Sequence, residues 1–353
     1  MKTNKIVLIL LLAMALFAIG CGAESDNSSS SRPAADDNAD ADDDNGDNFN
    51  PPSGDDDGEN HHSYQDFNTI FSDAGPIDAC MTDDGSIWVA YVDPPDAVNR
   101  DHNALVRYNA LHQVDWVYSG PVSFPHTLDC KGNLVLMSDC FDYSVTLLDS
   151  ITLEATRIDF SDWYEFVVPN AAQLTPDGNI LVSDLNNNTI IKITMEGEKL
   201  WEYMVIDEAP GSFSLHGPIE AADGHLLYCL SDRGKVVEVD QEGNEVWSYD
   251  SGLNFPKSVQ RLDNGDTLIG DHERIIEVNQ AKQIVWEFDL KEVKGFNVER
   301  LPDGNTLNGT SQVLMIAPDG TILWTLGAYS NILDESIIQQ NKRLQMLRSI
   351  GYL

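Results

Sequence analysis

Short apolar runs separated by Gly, Asp and Asn fill the stretch Pro169–Tyr203, PNAAQLTPDGNILVSDLNNNTIIKITMEGEKLWEY. A first run ends at Pro176-Asp177-Gly178; Asn179–Asp184, Thr189–Ile193 and Lys199–Tyr203 follow, divided by a polar loop at 185–188 and a turn at 196–198. Each run is alternating or β-branched, so the pattern predicts four short strands joined as hairpins. Gly178 and Gly197 fall where a tight turn needs positive φ, which glycine adopts without a Cβ penalty.

The same pattern recurs downstream at His216–Trp247, Pro256–Trp286 and Asn297–Trp324, and more loosely upstream at Ile77–Trp116 and Pro125–Ile158. The first-turn glycines stand at 85, 132, 178, 224, 265 and 304, in steps of 47, 46, 46, 41 and 39 residues. A period of about 40–45 residues with four strands per unit predicts an all-β protein, a six-bladed β-propeller over 66–330, rather than a helical solenoid. A ring must close without an unpaired edge, so apolar Asn68–Phe71 is expected to supply the outer strand of the last blade. Trp116, Trp201, Trp247, Trp286 and Trp324 recur at the fourth strand, with Ile158 in that place in the second unit. Periodic and set among aliphatic residues, they are expected to pack between blades.

The flanks follow other rules. Residues 1–21 pair two early lysines with an apolar run, Ile6–Ile19, that is too short to span a bilayer and reads as a secretory signal. Its end, Ala18-Ile19-Gly20-Cys21, resembles a bacterial lipobox, which implies lipidation of Cys21, a membrane partner through that anchor and a cell-envelope location; Gly22 after it implies the outer membrane. Residues 22–65 hold 13 acids and one arginine with almost no large apolar group, so a disordered acidic tether is expected. The Asp runs at 39–47 and 55–58 lack the ligand spacing of a calcium loop. Residues 331–353 include DESIIQQNKRLQMLRSI, whose apolar positions 337, 338, 344, 347 and 350 predict an amphipathic C-terminal helix.

Charge removes one class of function. The chain carries a formal −37, and 66–353 alone holds 45 acids against 18 bases, or −27. Nucleic-acid binding requires basic patches that displace counterions, so no nucleic-acid partner is expected. Besides Cys21 there are Cys80, Cys130, Cys140 and Cys229, which allow three full pairings. Cys80 and Cys130 lie on comparable first strands of consecutive units and are the pair to test first. No Cys/His spacing suggests a zinc site, and no metal is expected.

Candidate chemistry lies at one mouth of the ring, just before each inner strand: His126, Asn170, His216, Lys257 and Asn297. Loops between second and third strands face the same mouth and add Asp139, Asp184, Asp232, Arg233, Asp271, His272 and Arg274. Arg233 and Arg274 could clamp sulfate, phosphate or carboxylate, or simply pair with adjacent acids. No nucleophile elbow or glycine-rich phosphate loop is present.

The phrases VQRLDNGDTLIGDHERIIEV with QIVWEF, and AAQLTPDGNILVSDLNNNTIIKIT with EKLWEY, resemble the bacterial arylsulfotransferases, secreted six-bladed propellers. NHL and quinoprotein-like propellers share some of this wording. The resemblance covers about 125–325 and implies transfer of a sulfuryl group from an aryl sulfate to a phenol through a channel histidine, with no cofactor. It places His126, His216 and Arg233 as catalytic, with Lys257, Asn170, Asn297, Arg274 and His272 as substrate-binding. Lys257, Asn170 and Asn297 stand where many members carry histidine. The alternative is a non-catalytic, surface-tethered propeller that binds an envelope protein, peptide or glycan.

Overall fold

The computed structural model describes residues 75–93, 103–118, 120–161, 163, 167–205, 215–290, 297–310 and 312–326, all within one compact unit, Ile70–Leu353. The signal segment, Cys21, the acidic tether, the strand expected at 68–71 and the C-terminal helix lie outside these residues.

Six four-stranded antiparallel sheets follow one another: blade 1 over Gly75–Val117, blade 2 over Pro125–Asp159, blade 3 over Pro169–Met204, blade 4 over Leu215–Tyr249, blade 5 over Ser258–Asp289 and blade 6 over Asn297–Leu326. Each runs in simple order from inner to outer strand. Consecutive inner strands touch, and blade 6 lies against the inner strand of blade 1, so the sheets form a closed β-propeller. The first-hairpin glycines take positive φ, +80° at Gly178 and +87° at Gly265, as their turns require. Blade 6 has four described strands of its own, ending with Ile322–Leu326.

Apolar seams hold neighbouring blades together. Leu136, Val145 and Ile158 of blade 2 meet Val182, Ile191 and Ile193 of blade 3, and Leu268 and Ile275 of blade 5 meet Val298 and Leu314 of blade 6. The outer tryptophans serve the same seams: Arg261 of blade 5 lies 5.4 Å over Trp247 and Arg300 of blade 6 lies 4.8 Å over Trp286. These arginines also pair with Glu238 and Glu277 of the preceding blade.

Inner strands of different blades share no ladder, so their edge N–H and C=O groups need other partners. Side chains supply them. Asp78 accepts from Leu128 N–H at 2.7 Å, Asp129 from Leu174 N–H at 2.6 Å, and Gln260 from Arg300 N–H at 2.7 Å. Asn170 Nδ2 donates to Leu215 O at 2.9 Å, and Asn297 Nδ2 to Leu128 O at 3.1 Å. The propeller is therefore latched around its axis by polar side chains that reach across each seam.

Cys80 and Cys130 form a disulfide that ties inner strand 1 to inner strand 2 across 50 residues of sequence. Closing a loop of that length removes chain entropy worth about 4 kcal/mol from the unfolded state. Urea denaturation of the double Cys80→Ser, Cys130→Ser variant should show a loss near that size; a change within about 1 kcal/mol would mean that the bond constrains little.

Candidate functional site

A cavity of about 520 Å³ runs along the axis between the inner strands. At one end it meets Thr127, His216, Lys257 and Asn297, near the starts of these strands; at the other it reaches Lys131, Pro176, Ala222 and Asp263, near their first turns. Asp129 and Glu299 stand on the wall between.

Backbone irregularity positions the histidines. Register shifts between Pro125 and Thr127, and between His216 and Ile219, place each histidine at or beside a bulge where its inner strand begins. Bulges re-aim side chains and are frequent beside functional sites. His126 is 1% exposed, and its Nδ1 lies 2.5 Å from Asn170 O. A carbonyl oxygen can only accept, so Nδ1 holds the proton and Nε2 the lone pair. Burial, reinforced by the nearby Lys257 charge and opposed by the Asn170 bond, pushes the imidazole down to about 4, which keeps it neutral at pH 7.

His216 is 8% exposed, with Nδ1 2.8 Å from Ser231 Oγ. Ser231 Oγ is also 2.5 Å from Pro256 O and gives its hydroxyl proton to that carbonyl. Ser231 must then accept from His216 Nδ1–H, so in the neutral form of His216 the lone pair sits on Nε2. In blades 2, 3 and 5 the end of the second strand carries Asp139, Asp184 or Asp271, and each binds backbone N–H groups of the loop before its inner strand. Blade 4 has Ser231 in that place, and the exchange of acid for hydroxyl lets the position face an imidazole.

The two imidazole centroids lie 6.3 Å apart. Phe124 stacks on His126 at 6.0 Å, and Phe255 meets His216 edge-on at 5.9 Å. Lys257 Nζ lies 5.4 Å over the Phe255 ring. Phe255 holds φ +72°, a costly conformation for a bulky residue that persists only where its surroundings impose it.

The expected convergence is partial. His216, Lys257 and Asn297 border the cavity; His126 and Asn170 lie fully buried behind this layer and do not line it. Arg233 is exposed at the end of the short 3-10 turn Ser231–Arg233, off the cavity. Arg274 is bound to Glu287 at 2.8 Å and to Gly252 O at 2.7 Å, and half-buried His272 lies in the same rim loop. No cavity-lining arginine clamp thus forms from Arg233 and Arg274, because their loops turn outward over the blades. Ser231, Phe255 and the wall acids Asp129 and Glu299 are additions that spacing did not reveal.

Burial pushes Asp129 up to about 7, opposed by Leu174 N–H and Lys131. Burial first, and then the Asp129 charge, push Glu299 up to about 8. Both folded values exceed the unfolded ones, so their stabilisation is full below about pH 4 and is lost as pH climbs through 7 to 8. His126 shifts the other way and loses stability only as pH falls below about 6.5. Tm should therefore drop between pH 6.5 and pH 9. The Asp129→Asn, Glu299→Gln variant should flatten that slope; an undiminished slope would place its origin elsewhere.

Fold and site define the class, a six-bladed β-propeller with a polar axial cavity. No protein-family model and no curated protein matches the chain. Among solved structures it is similar to a catalytically inactive virginiamycin B lyase variant from Staphylococcus aureus crystallised with quinupristin, with a TM-score of 0.54 and 13% identity over 73% of this chain and 86% of that one. A protein of unknown function from Bacteroides caccae gives a TM-score of 0.53 and 18% identity over 64% and 90%. A streptogramin B lyase gives 0.53 and 15% over 72% and 84%. At these identities the likeness is one of fold.

Proposed function

We propose that the axial cavity binds an aryl sulfate and that His216 carries its sulfuryl group to a phenol. The observation that supports this reading is the Pro256–Ser231–His216 chain, which fixes the lone pair on Nε2 of an imidazole at the cavity end, beside Lys257. Nε2 attacks sulfur, the N–S bond forms, the S–O bond to the aryl group breaks and the phenolate leaves with the electron pair. The acceptor phenol then attacks the same sulfur, the N–S bond breaks with its electron pair returning to His216 Nε2, and the acceptor proton passes by way of that nitrogen to water, as the released phenolate takes its own proton from water. Lys257 offsets the charge on the sulfuryl oxygens throughout. His126, buried behind the cavity wall and neutral, packs beside the attacking ring.

The test uses the intact protein with p-nitrophenyl sulfate as donor and phenol as acceptor. Release of p-nitrophenol that depends on phenol, with ping-pong kinetics, is the expected result. No turnover would remove the sulfuryl-transfer reading and leave a tethered binding propeller. We also propose that lipidated Cys21 holds the domain at the envelope of its cell. Metabolic labelling with a fatty acid should mark the wild type and miss Cys21→Ala; equal labelling of both would end that idea.

A further inference from the structure

We propose that Asp223, His225 and Glu238 form a binding site for a zinc-type divalent metal ion at the edge of the axial cavity. Asp223 and His225 lie at the first turn of blade 4 and Glu238 on the third strand of the same blade. One ligand atom from each residue falls within 4.8 Å of the other two. His225 Nδ1 is 3.0 Å from Glu238 Oε1 and 3.6 Å from Asp223 Oδ2. With metal–ligand bonds of about 2.1 Å, the edge of a tetrahedron is about 3.4 Å, so both separations suit one ion with little movement.

The donors are held in place by the groups around them. Glu238 is 8% exposed and its second oxygen is paired with Arg261, leaving Oε1 turned to the histidine. Arg261 is itself fixed by Thr267 Oγ1 at 2.6 Å, by Gly265 O at 3.0 Å and by the Trp247 ring beneath it. Asp223 Oδ1 accepts from His225 N–H at 3.1 Å, which leaves Oδ2 as the oxygen facing the ring, and Gln241 Nε2 holds the Asp223 carbonyl at 3.2 Å. Supporting contacts of this kind orient metal ligands and are as much a part of such sites as the ligands themselves.

Charge and ligand type narrow the ion. Two carboxylates, with Asp240 nearby, face one guanidinium, a local surplus of negative charge in a chain already at −37. An imidazole nitrogen with two carboxylate oxygens suits zinc; calcium and magnesium prefer oxygen alone. Ala222, Glu220 and Arg261 line the cavity, so the ion would pin the blade 4 turn at the cavity end remote from His216.

Isothermal titration of the metal-free full chain with zinc chloride, paired with thermal melts, tests the site. The wild type should show a saturable equivalent and a higher Tm with zinc. His225→Ala should lose one equivalent and the Tm rise, and Asp223→Asn, which leaves the Glu238–Arg261 pair intact, should weaken binding. Zinc binding and a Tm rise that survive His225→Ala would trace to other groups, His61 and His62 among them. That outcome, the absence of any saturable equivalent, or an equal response to magnesium and calcium would overturn the proposal and leave an ion pair of protonated His225 with Glu238.

Discussion

Replacing His216 with alanine is expected to lower phenol-dependent release of p-nitrophenol by on the order of 10³-fold or more, since loss of a nucleophile removes the whole covalent route. The fold should survive, because the ring borders the cavity and is anchored through the hydroxyl of Ser231 rather than through the backbone of a neighbouring blade. Unchanged far-UV circular dichroism would establish that. Lys257→Ala should cost less, about 10²-fold, since it removes charge compensation and leaves the attacking nitrogen in place. Ser231→Ala distinguishes orientation from chemistry. It frees the imidazole to exchange tautomers, so ¹⁵N NMR should show a mixture where the wild type shows Nδ1–H, and kcat should fall with it. Wild-type rates in His216→Ala would end the assignment of this residue whatever reaction the cavity performs.

Asp78→Ala should be the most destabilising single change in the ring, at about 3–5 kcal/mol. The carboxyl is fully buried and accepts from Ala79 N–H at 2.6 Å, Leu128 N–H at 2.7 Å and Asn297 Nδ2 at 3.0 Å. These donors belong to blades 1, 2 and 6, so one side chain joins the first and last blades. Truncation leaves three donors without this acceptor, each costing about 1–3 kcal/mol, less whatever water recovers. No neighbour can move in to compensate without strain. A Cβ on Gly309 would stand 2.3 Å from Ala79 N and 2.6 Å from Asp78 Oδ1, so the blade 6 backbone is already in close approach. Burial holds this carboxyl well above its ordinary pKa, so Asp78→Asn replaces an acid whose charge is already disfavoured. It should fall between wild type and alanine, because an amide oxygen in the Oδ2 place keeps the Leu128 and Asn297 donors while the amide N–H must turn toward Ala79 N–H. A loss under about 1 kcal/mol for alanine in urea denaturation would show that ring closure does not depend on this residue.

Much of the architecture is legible in the chain because its signals are local. A turn glycine, an alternating run and an outer tryptophan each act within one hairpin, and six copies of that pattern leave little choice of fold. The Cys80–Cys130 bond follows from the same register, since the two cysteines hold equivalent places in adjacent units. The site is only half legible, because exposure to the cavity depends on contacts between units. His126 and Asn170 begin inner strands just as His216 does, but bonds to the next blade draw them behind the wall. Lys257 keeps its place at the cavity. Arg233 and Arg274 have the right charge for an oxyanion, but their loops turn them outward. Ser231 carries no motif; what marks it is the absence of the aspartate that blades 2, 3 and 5 put in the same position.

Every described blade is an uninterrupted segment of chain, with all four strands drawn in sequence order and none borrowed from the far terminus. A genetic duplication or excision that begins and ends in the connections between blades would therefore add or remove one whole structural unit. For the same reason, new termini opened between blades 3 and 4 would sever no sheet. Lineages of such a protein are free to change ring size, or to shift where the polypeptide starts, by recombination at these joints.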